Sequence, residues 1–411
     1  ASGAVAHIAG AVGQEHMQHF GGADAVNDFA AKVGRPALAD VARQRFAGRS
    51  AAAQTQGAAR GQGGRGGGLA DQPALLMQQG RYLRAVHDIM TNFLDPAILF
   101  FIFGVFAGSV KSNLEIPPQI SRFLSLYLLM ALGLKGGFAL HKSGFTSEIA
   151  FSLGLAVFLA VIIPIIGYWI LRRKLNAFDA AAVAATYGSV SAVTFITATQ
   201  YLDQFHITYG GHMAAAMALM ESPAIILAIV LANKARATMS SNQASKQEPV
   251  GISKILHESF TDGAQLLLLG SMLVAIVSGD SGQKLMAPFS IDLFKGMLSF
   301  FLLDMGLMAA RNFKGLRGKP PITLLYAIGS PLSHALLALV FCKLIGLPLG
   351  NTILLMVLAS SASYIAVPAV LRHALPEVNP ALYMGMSLGI TFPFNIILGI
   401  PIYTLIATEL L

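Results

Sequence analysis

The sequence predicts an all-α integral membrane protein whose ten transmembrane helices form two five-helix repeats of opposite orientation. Three observations predict this fold. The chain has 411 residues, of which 55% are hydrophobic and 12% charged, whereas soluble domains carry about 25% charged residues. Apolar segments long enough to span a bilayer recur from about residue 94 onward. The second set of these segments also repeats sequence features of the first.

Residues 1–88 differ in composition from the rest and are predicted to form a disordered tail. They are rich in Ala, Gly, Gln and Arg, and RGQGGRGGG (60–68) is of low complexity. A segment without a long apolar run cannot bury a core. Arg-Gly tracts also occur in nucleic-acid-binding tails, and the lack of acids over 43–68 is typical of targeting segments. We expect a solvated tail that binds no nucleic acid.

Ten apolar segments are predicted to cross the lipid bilayer. A polar, charged stretch separates the fifth from the sixth, so that the first repeat covers 92–233, a cytoplasmic linker 234–260 and the second repeat 261–411. The ten segments lie at about 94–111, 120–140, 148–171, 178–202, 212–233, 262–279, 288–310, 321–346, 350–371 and 380–408.

The two sets of five segments resemble each other in order and spacing. GSVSAV (188–193) corresponds to SSASYI (360–365), and ESPAIILAI (221–229) corresponds to TFPFNIILGI (391–400). Because each repeat has an odd number of spans, the second copy enters the membrane from the opposite side, as in many secondary transporters. Lys and Arg are concentrated in the loops on one side, which the positive-inside rule makes cytoplasmic. Both termini are then predicted on the non-cytoplasmic side.

The middles of the fourth and ninth predicted spans carry small and hydroxyl-bearing residues where a lipid-facing helix would be apolar. Unwound backbone at membrane depth is tolerated where it lines a cavity. We therefore predict two crossing discontinuous helices whose inner N-terminal ends, with their partial positive charge, face a small anion. The same residues would also suit close helix packing. The predicted substrate-binding residues are Gly188, Ser189, Val190, Ser191, Ser360, Ser361, Ala362, Ser363 and Tyr364.

Acidic, hydroxyl and amide side chains near these stretches predict a site for a coupling cation. Ionisable groups inside a membrane are usually functional, and oxygen ligands suit Na⁺, although a lone carboxylate could instead carry a proton. A hydrogen bond to a neighbouring helix is the alternative for Asp304. For Lys135, we expect a side chain that extends to the membrane interface. The predicted sodium-binding residues are Thr194, Glu221, Asp304, Thr391 and Asn395.

The sequence lacks the patterns of an enzyme or of an ATP-driven pump. The histidines lack metal-ligand spacing, and the Gly-rich stretch is followed by no GK[ST]. The spans contain no nucleophile–base pair. We therefore expect no catalytic residues and no cofactor other than Na⁺ as coupling ion.

Two long motifs carry a resemblance to a known family. SASYIAVPAVLRHALPEVNPALYMGMSLGITFPFNIILGIPIY (361–403) and FDAAAVAATYGSVSAVTFITA (178–198) are similar to segments of the sodium-dependent bicarbonate transporter (permease) family. The resemblance extends over about 92–408 and leaves the tail unexplained.

The resemblance implies a fold like that of the sodium/proton antiporters and bile-acid symporters. Spans 3–5 and 8–10 would form a core domain that holds bicarbonate and Na⁺, and spans 1, 2, 6 and 7 a gate domain that mediates a homotrimer. The implied function is Na⁺-coupled import of bicarbonate by alternating access, in a plasma membrane or an organelle envelope. A PII-like regulatory protein would bind the cytoplasmic loops 172–178, 234–260 and 311–320. Transport of another small anion, Na⁺/H⁺ exchange and a non-transporting sensor are the alternatives.

Overall fold

The computed structural model describes residues 91–144, 146–239, 262–316, 318–375 and 377–411. The described residues form helices and no strands, which confirms the all-α prediction. The predicted tail 1–88 and residues 240–260 of the predicted linker lie outside the described residues. The helix before this linker extends to Met239, so it includes the first residues of the stretch 234–260.

Twelve helices carry the architecture of this part of the chain. Those before the linker are α1 (Pro96–Ser109), α2 (Pro118–Ser143), α3 (Ser147–Leu171), α4 (Ala177–Gly188), α5 (Ala192–Gln204) and α6 (Met213–Met239). Those after it are α7 (Gly263–Ala287), α8 (Phe294–Phe313), α9 (Pro321–Ile345), α10 (Leu349–Ser360), α11 (Ala366–Ala374) and α12 (Pro380–Leu410). Pro288–Asp292 joins α7 to α8 as a π-helical turn. Within α12, Ser387–Thr391 and Asn395–Gly399 are π-helical.

Seven helical stretches among the described residues are long and apolar enough to cross a membrane. One of them, Gly263–Phe313, contains both α7 and α8 in 51 residues, and another, Ala177–Gln204, contains both α4 and α5. Two shorter apolar helices are α1 and α10. These lengths are those of an integral, multi-pass membrane protein. The finer division into ten spans and two inverted repeats stays a prediction.

Aspartates cap the first helix of each predicted repeat. Asp95 accepts a hydrogen bond of 2.8 Å from the N–H of Ala97 at the start of α1. Asp262 accepts bonds of 3.0 and 3.1 Å from Ala264 and Gln265 at the start of α7. Such caps satisfy the first N–H groups of a helix, which have no partner within it. Both helices therefore begin where the local sequence predicts.

Glycines let the backbones of two helix pairs touch. α1 packs along α8, and α2 along α7. A Cβ at Gly306 would collide with the carbonyl oxygen of Phe101, and one at Gly137 with that of Met272. Small residues permit this close approach inside membranes. We call α1, α2, α7 and α8 the paired-helix group.

Among the remaining helices, α4 packs against α3 and α6. α9 and α12 pack against α10 in the same way. α4 and α5 together are almost entirely buried, with 94% of their most apolar window inside the protein. Two helices whose side chains are buried on nearly every face suit a site in the interior.

Candidate functional site

The fourth predicted span is interrupted in its middle. α4 ends at Gly188 and α5 begins at Ala192, and between them Ser189 (φ −90°, ψ 176°) and Ser191 (φ −106°, ψ 111°) are extended. Ser191 caps α5 because its Oγ accepts hydrogen bonds from the N–H (3.2 Å) and the hydroxyl (2.9 Å) of Thr194. The local sequence thus ends one helix and begins the next within four residues.

The ninth predicted span is interrupted in the corresponding place. α10 ends at Ser360, Ser361 is extended (φ −79°, ψ 168°), and α11 begins at Ala366. Ser363 Oγ accepts a hydrogen bond of 3.2 Å from the N–H of Val367 in the first turn of α11. A serine therefore binds the first turn of the second half-helix at both interruptions.

The two interruptions lie against each other in the protein interior. The N–H of Ser191 donates to Ser361 Oγ at 3.0 Å, and the N–H of Ser363 donates to the carbonyl of Thr186 at 2.8 Å. All four residues are at most 4% exposed. We call this contact region, 186–194 with 360–367, the junction. The structure brings together the predicted substrate-binding residues of both spans at the junction.

The serine hydroxyls at the junction form two groups, those that donate to a backbone carbonyl and those that do not. Ser189, Ser360 and Ser361 donate to backbone carbonyls, of Glu221 (3.2 Å), Val357 (3.0 Å) and Leu358 (2.8 Å) respectively. Ser191 and Ser363 accept hydrogen bonds, and neither hydroxyl donates to a backbone carbonyl of the described residues. The Tyr364 hydroxyl is buried and interacts with the Ser191 side chain. Three buried hydroxyls therefore lie together without a backbone acceptor in the part of the chain that the structure describes.

Apolar contacts enclose the junction. Val190 and Ala362 are 3% and 2% exposed. Gly188 lies directly under Pro164 of α3, where an added Cβ would lie 2.5 Å from the proline Cγ. The ring of Tyr364 packs edge-on against Phe392, with centroids 5.1 Å apart. A buried, apolar enclosure strengthens electrostatic attraction between buried donors and an anion.

Three predicted sodium-binding residues contact the junction or the helices that form it. Thr194 lies in it, with its hydroxyl on Ser191. Asn395 donates to the carbonyl of Ser360 at 2.9 Å. Thr391 donates to the carbonyl of Ala327 at 2.7 Å and shares a hydrogen bond of 2.6 Å with Tyr187 of α4.

The two predicted acids have other partners. The Glu221 carboxylate accepts a hydrogen bond of 2.8 Å from Gln265 in α7, and only its backbone carbonyl contacts the junction, through Ser189. The Asp304 carboxylate accepts a hydrogen bond from Ser121 of α2. This hydrogen bond joins two helices. Such a bond is the alternative to Na⁺ binding that the sequence allows for Asp304.

Two tyrosines support this region and are absent from the sequence prediction. Tyr187 contacts Thr391, and Tyr403 donates to Asn395 Oδ1 at 2.8 Å. Both are buried within apolar runs, where a tyrosine by itself gives no sign of its hydrogen-bond partner. No group of three or more His, Cys, Asp and Glu side chains suited to a metal ion occurs in the part of the chain that the structure describes.

Comparison with protein-family models identifies the family of this chain. The family model of the Na+-dependent bicarbonate transporter superfamily matches residues 96–408. A search of curated proteins finds no match to the chain. The matched region contains both interruptions and all twelve helices except the last two residues of α12, and it confirms the resemblance carried by segments 178–198 and 361–403. The family consists of transporters rather than enzymes, and its description supports bicarbonate transport. The chain belongs to the Na+-dependent bicarbonate transporter superfamily.

Proposed function

We propose that this protein is a Na⁺-coupled symporter that imports bicarbonate by alternating access, with bicarbonate bound at the junction. The observation that carries this proposal is a set of three hydroxyls in one buried region, those of Ser191, Ser363 and Tyr364, which donate to no backbone carbonyl of the described residues. A buried donor without a strong acceptor costs free energy unless a ligand accepts from it. A small oxyanion would accept from all three.

The backbone of the junction supports an anion in the same place. The first N–H groups of α5 and α11 have no intrahelical acceptor, and each helix places partial positive charge at this end. No Arg or Lys occurs between 186 and 194 or between 360 and 367. Helix ends and hydroxyls without a full positive charge favour a small, singly charged anion over sulfate or phosphate. Bicarbonate has this charge and three oxygens.

We propose that Na⁺ binds beside the anion. Thr194 and Asn395 would supply oxygens, since both contact residues of the junction. Thr391, which contacts Tyr187 of α4, would supply another. Glu221 and Asp304 complete the proposed set. Each acid accepts one hydrogen bond from another helix, which leaves other carboxylate lone pairs for Na⁺. A cation next to a bound anion favours binding of both, which is the thermodynamic basis of coupling.

We propose that ten spans form a five-plus-five inverted repeat with a core and a gate domain. In this assignment α1 and α2 are the first two spans of one repeat, and α7 and α8 those of the other. The packing pairs α1 with α8 and α2 with α7. A pseudo-two-fold axis between the repeats would exchange these two pairs, so this packing supports the proposed repeat. The paired-helix group would be the gate, and α3–α6 with α9–α12 the core.

The proposed assembly and location follow the family resemblance. We propose a homotrimer formed through the gate domain, both termini on the non-cytoplasmic side, and a plasma membrane or organelle envelope as the membrane. A PII-like protein would bind the cytoplasmic loops. Mass measurement of the detergent-solubilised complex tests the trimer, and a stable monomer would contradict it.

Uptake of labelled bicarbonate into proteoliposomes tests the function. We expect uptake that follows an inward Na⁺ gradient and is absent with a choline or K⁺ gradient of equal size. Liposomes without protein correct for CO₂ diffusion. Uptake unaffected by Na⁺ would contradict the coupling. Full competition by sulfate or a monocarboxylate would indicate another anion as substrate, and Na⁺-driven proton movement without bicarbonate would indicate exchange.

A further inference from the structure

One ion pair links the paired-helix group to the helices around the junction. Lys135 of α2 pairs with Asp203 near the end of α5, and their side chains are 33% and 34% exposed. The Lys135 ammonium also lies 5.8 Å from the centre of the Phe294 ring in α8. The structure thus gives Lys135 a carboxylate partner and a half-buried position.

Two other ion pairs among the described residues give a contrast. Lys295 of α8 pairs with Asp95 at the start of α1 at 2.8 Å. Lys142 of α2 pairs with Asp280 of α7 at 3.8 Å. Both pairs stay within the paired-helix group. Of these three pairs, only the one between Lys135 and Asp203 extends from the group to the helices that carry the junction.

The backbone is closely packed beside this pair. Gly136 of α2 meets Gly211 of the segment 205–212, where an added Cβ at Gly136 would lie 2.8 Å from the Gly211 carbonyl oxygen. The other face of the segment is fixed to α10, because Asn351 accepts a hydrogen bond of 2.7 Å from the N–H of Gly210. The segment is therefore held between α2 and the first turn of α10.

A cavity opens next to the contact between Gly136 and Gly211. Its volume is about 400 Å³, and both Lys135 and Asp203 line it. Phe195, one residue beyond Thr194 of the junction, also lines it. The cavity thus extends from the ion pair to the helix that begins at the junction, and this position suits an access route from this end of the protein.

We propose that Lys135 and Asp203 form a gate that holds this end of the transporter closed and that separates in each transport cycle. The proposal rests on the proposed function, because α2 and α5 must belong to bodies that move relative to each other. Half-exposed ion pairs are weak, so such a pair can break and re-form without trapping one state. When it separates, Lys135 presents an uncompensated positive charge to an anion entering the cavity.

Cross-linking in the full-length protein tests the gate. Lys135→Cys and Asp203→Cys, in a Cys342→Ala background, are joined by a short reducible bifunctional thiol reagent. Cross-linking should lower bicarbonate uptake by roughly tenfold or more, and a reductant should restore it. The matched control joins Lys142→Cys to Asp280→Cys, on the same helix α2, and should keep uptake within about twofold because both residues move together. Equal uptake before and after cross-linking of the 135–203 pair would overturn the proposal.

A second measurement tests the gate independently of which anion is transported. Ala139, which lines the cavity, is replaced by Cys, and its rate of maleimide labelling is measured with and without Lys135→Gln or Asp203→Asn. Removing either charge should raise the rate several-fold, and Lys142→Gln should leave it unchanged. An unchanged labelling rate in both gate variants would contradict the proposed gate, even if bicarbonate uptake is normal. A raised rate in a protein without bicarbonate uptake would support the gate and contradict the proposed substrate.

Discussion

The backbone N–H of Ser191 donates a hydrogen bond of 3.0 Å to the side-chain oxygen of Ser361, across 170 residues of sequence. Ser191 begins α5 and Ser361 follows α10, so this bond ties one interrupted helix to the other. Ser361 Oγ in turn donates to the carbonyl of Leu358 at 2.8 Å. The bond fixes the relative position of the two stretches that carry the proposed site.

Ser361→Ala should destabilise the protein. It leaves the buried N–H of Ser191 without its acceptor, at a cost of about 1–3 kcal/mol. Thermal unfolding in detergent measures the loss. Ser330→Ala is the control, because the Ser330 hydroxyl donates to the Tyr326 carbonyl within α9 and no donor depends on it. Its cost should stay below about 1 kcal/mol. Equal midpoints for the two variants would contradict a structural role for the bond between Ser191 and Ser361.

Tyr364→Phe should weaken bicarbonate binding without weakening the fold. The Tyr364 hydroxyl interacts with the Ser191 side chain and with no backbone group of the described residues, so its removal leaves no backbone group unpaired. A hydrogen bond to a charged group contributes about 1.5–3 kcal/mol, and its loss should raise the half-saturating bicarbonate concentration by about tenfold or more. Tyr403→Phe is the opposite case, because it removes the donor to Asn395 and should lower thermal stability. Unchanged bicarbonate saturation in Tyr364→Phe would remove this hydroxyl from the site.

Glu221→Gln and Asp304→Asn should raise the Na⁺ requirement of uptake. Each keeps the shape of the side chain and an oxygen that can accept from Gln265 or Ser121, so that only the negative charge is lost. Losing an attraction of about 1.4 kcal/mol raises the half-saturating Na⁺ concentration about tenfold. Glu115→Gln, at an exposed position, serves as the control. A variant with the Na⁺ dependence of the unmodified protein would exclude its acid from the sodium site.

Gly306→Ala should destabilise the contact between α1 and α8. Its Cβ would collide with the carbonyl oxygen of Phe101, and forced overpacking costs about 1–3 kcal/mol. Gly296→Ala in the same helix meets no atom within 4 Å and should be neutral or slightly stabilising, because Ala favours helix over Gly by up to about 1 kcal/mol. Thermal midpoints of the two variants measure the difference. A midpoint for Gly306→Ala at or above that of Gly296→Ala would contradict the packing.

Local features of the sequence predict much of the helical architecture. The apolar composition predicts membrane-spanning helices, and Asp95 and Asp262 mark the starts of α1 and α7. The interruptions at Ser189 and Ser361 lie within the predicted hydroxyl-rich stretches. These features are predictable because hydropathy, capping and helix termination act over a few neighbouring residues. The inverted repeat, which rests on similarity between distant segments, stays a prediction.

The tertiary structure decided which of the predicted groups remain available to a ligand. The sequence does not distinguish Ser189, whose hydroxyl donates to the Glu221 carbonyl, from Ser191, whose hydroxyl accepts from Thr194 and donates to no backbone carbonyl of the described residues. It also does not show that Glu221 faces Gln265 or that Lys135 pairs with Asp203. Such partners are distant in sequence and meet only when the helices pack. The local sequence thus determines where helices begin and which segments enter the membrane. The partner of each buried polar group depends instead on which helices pack together.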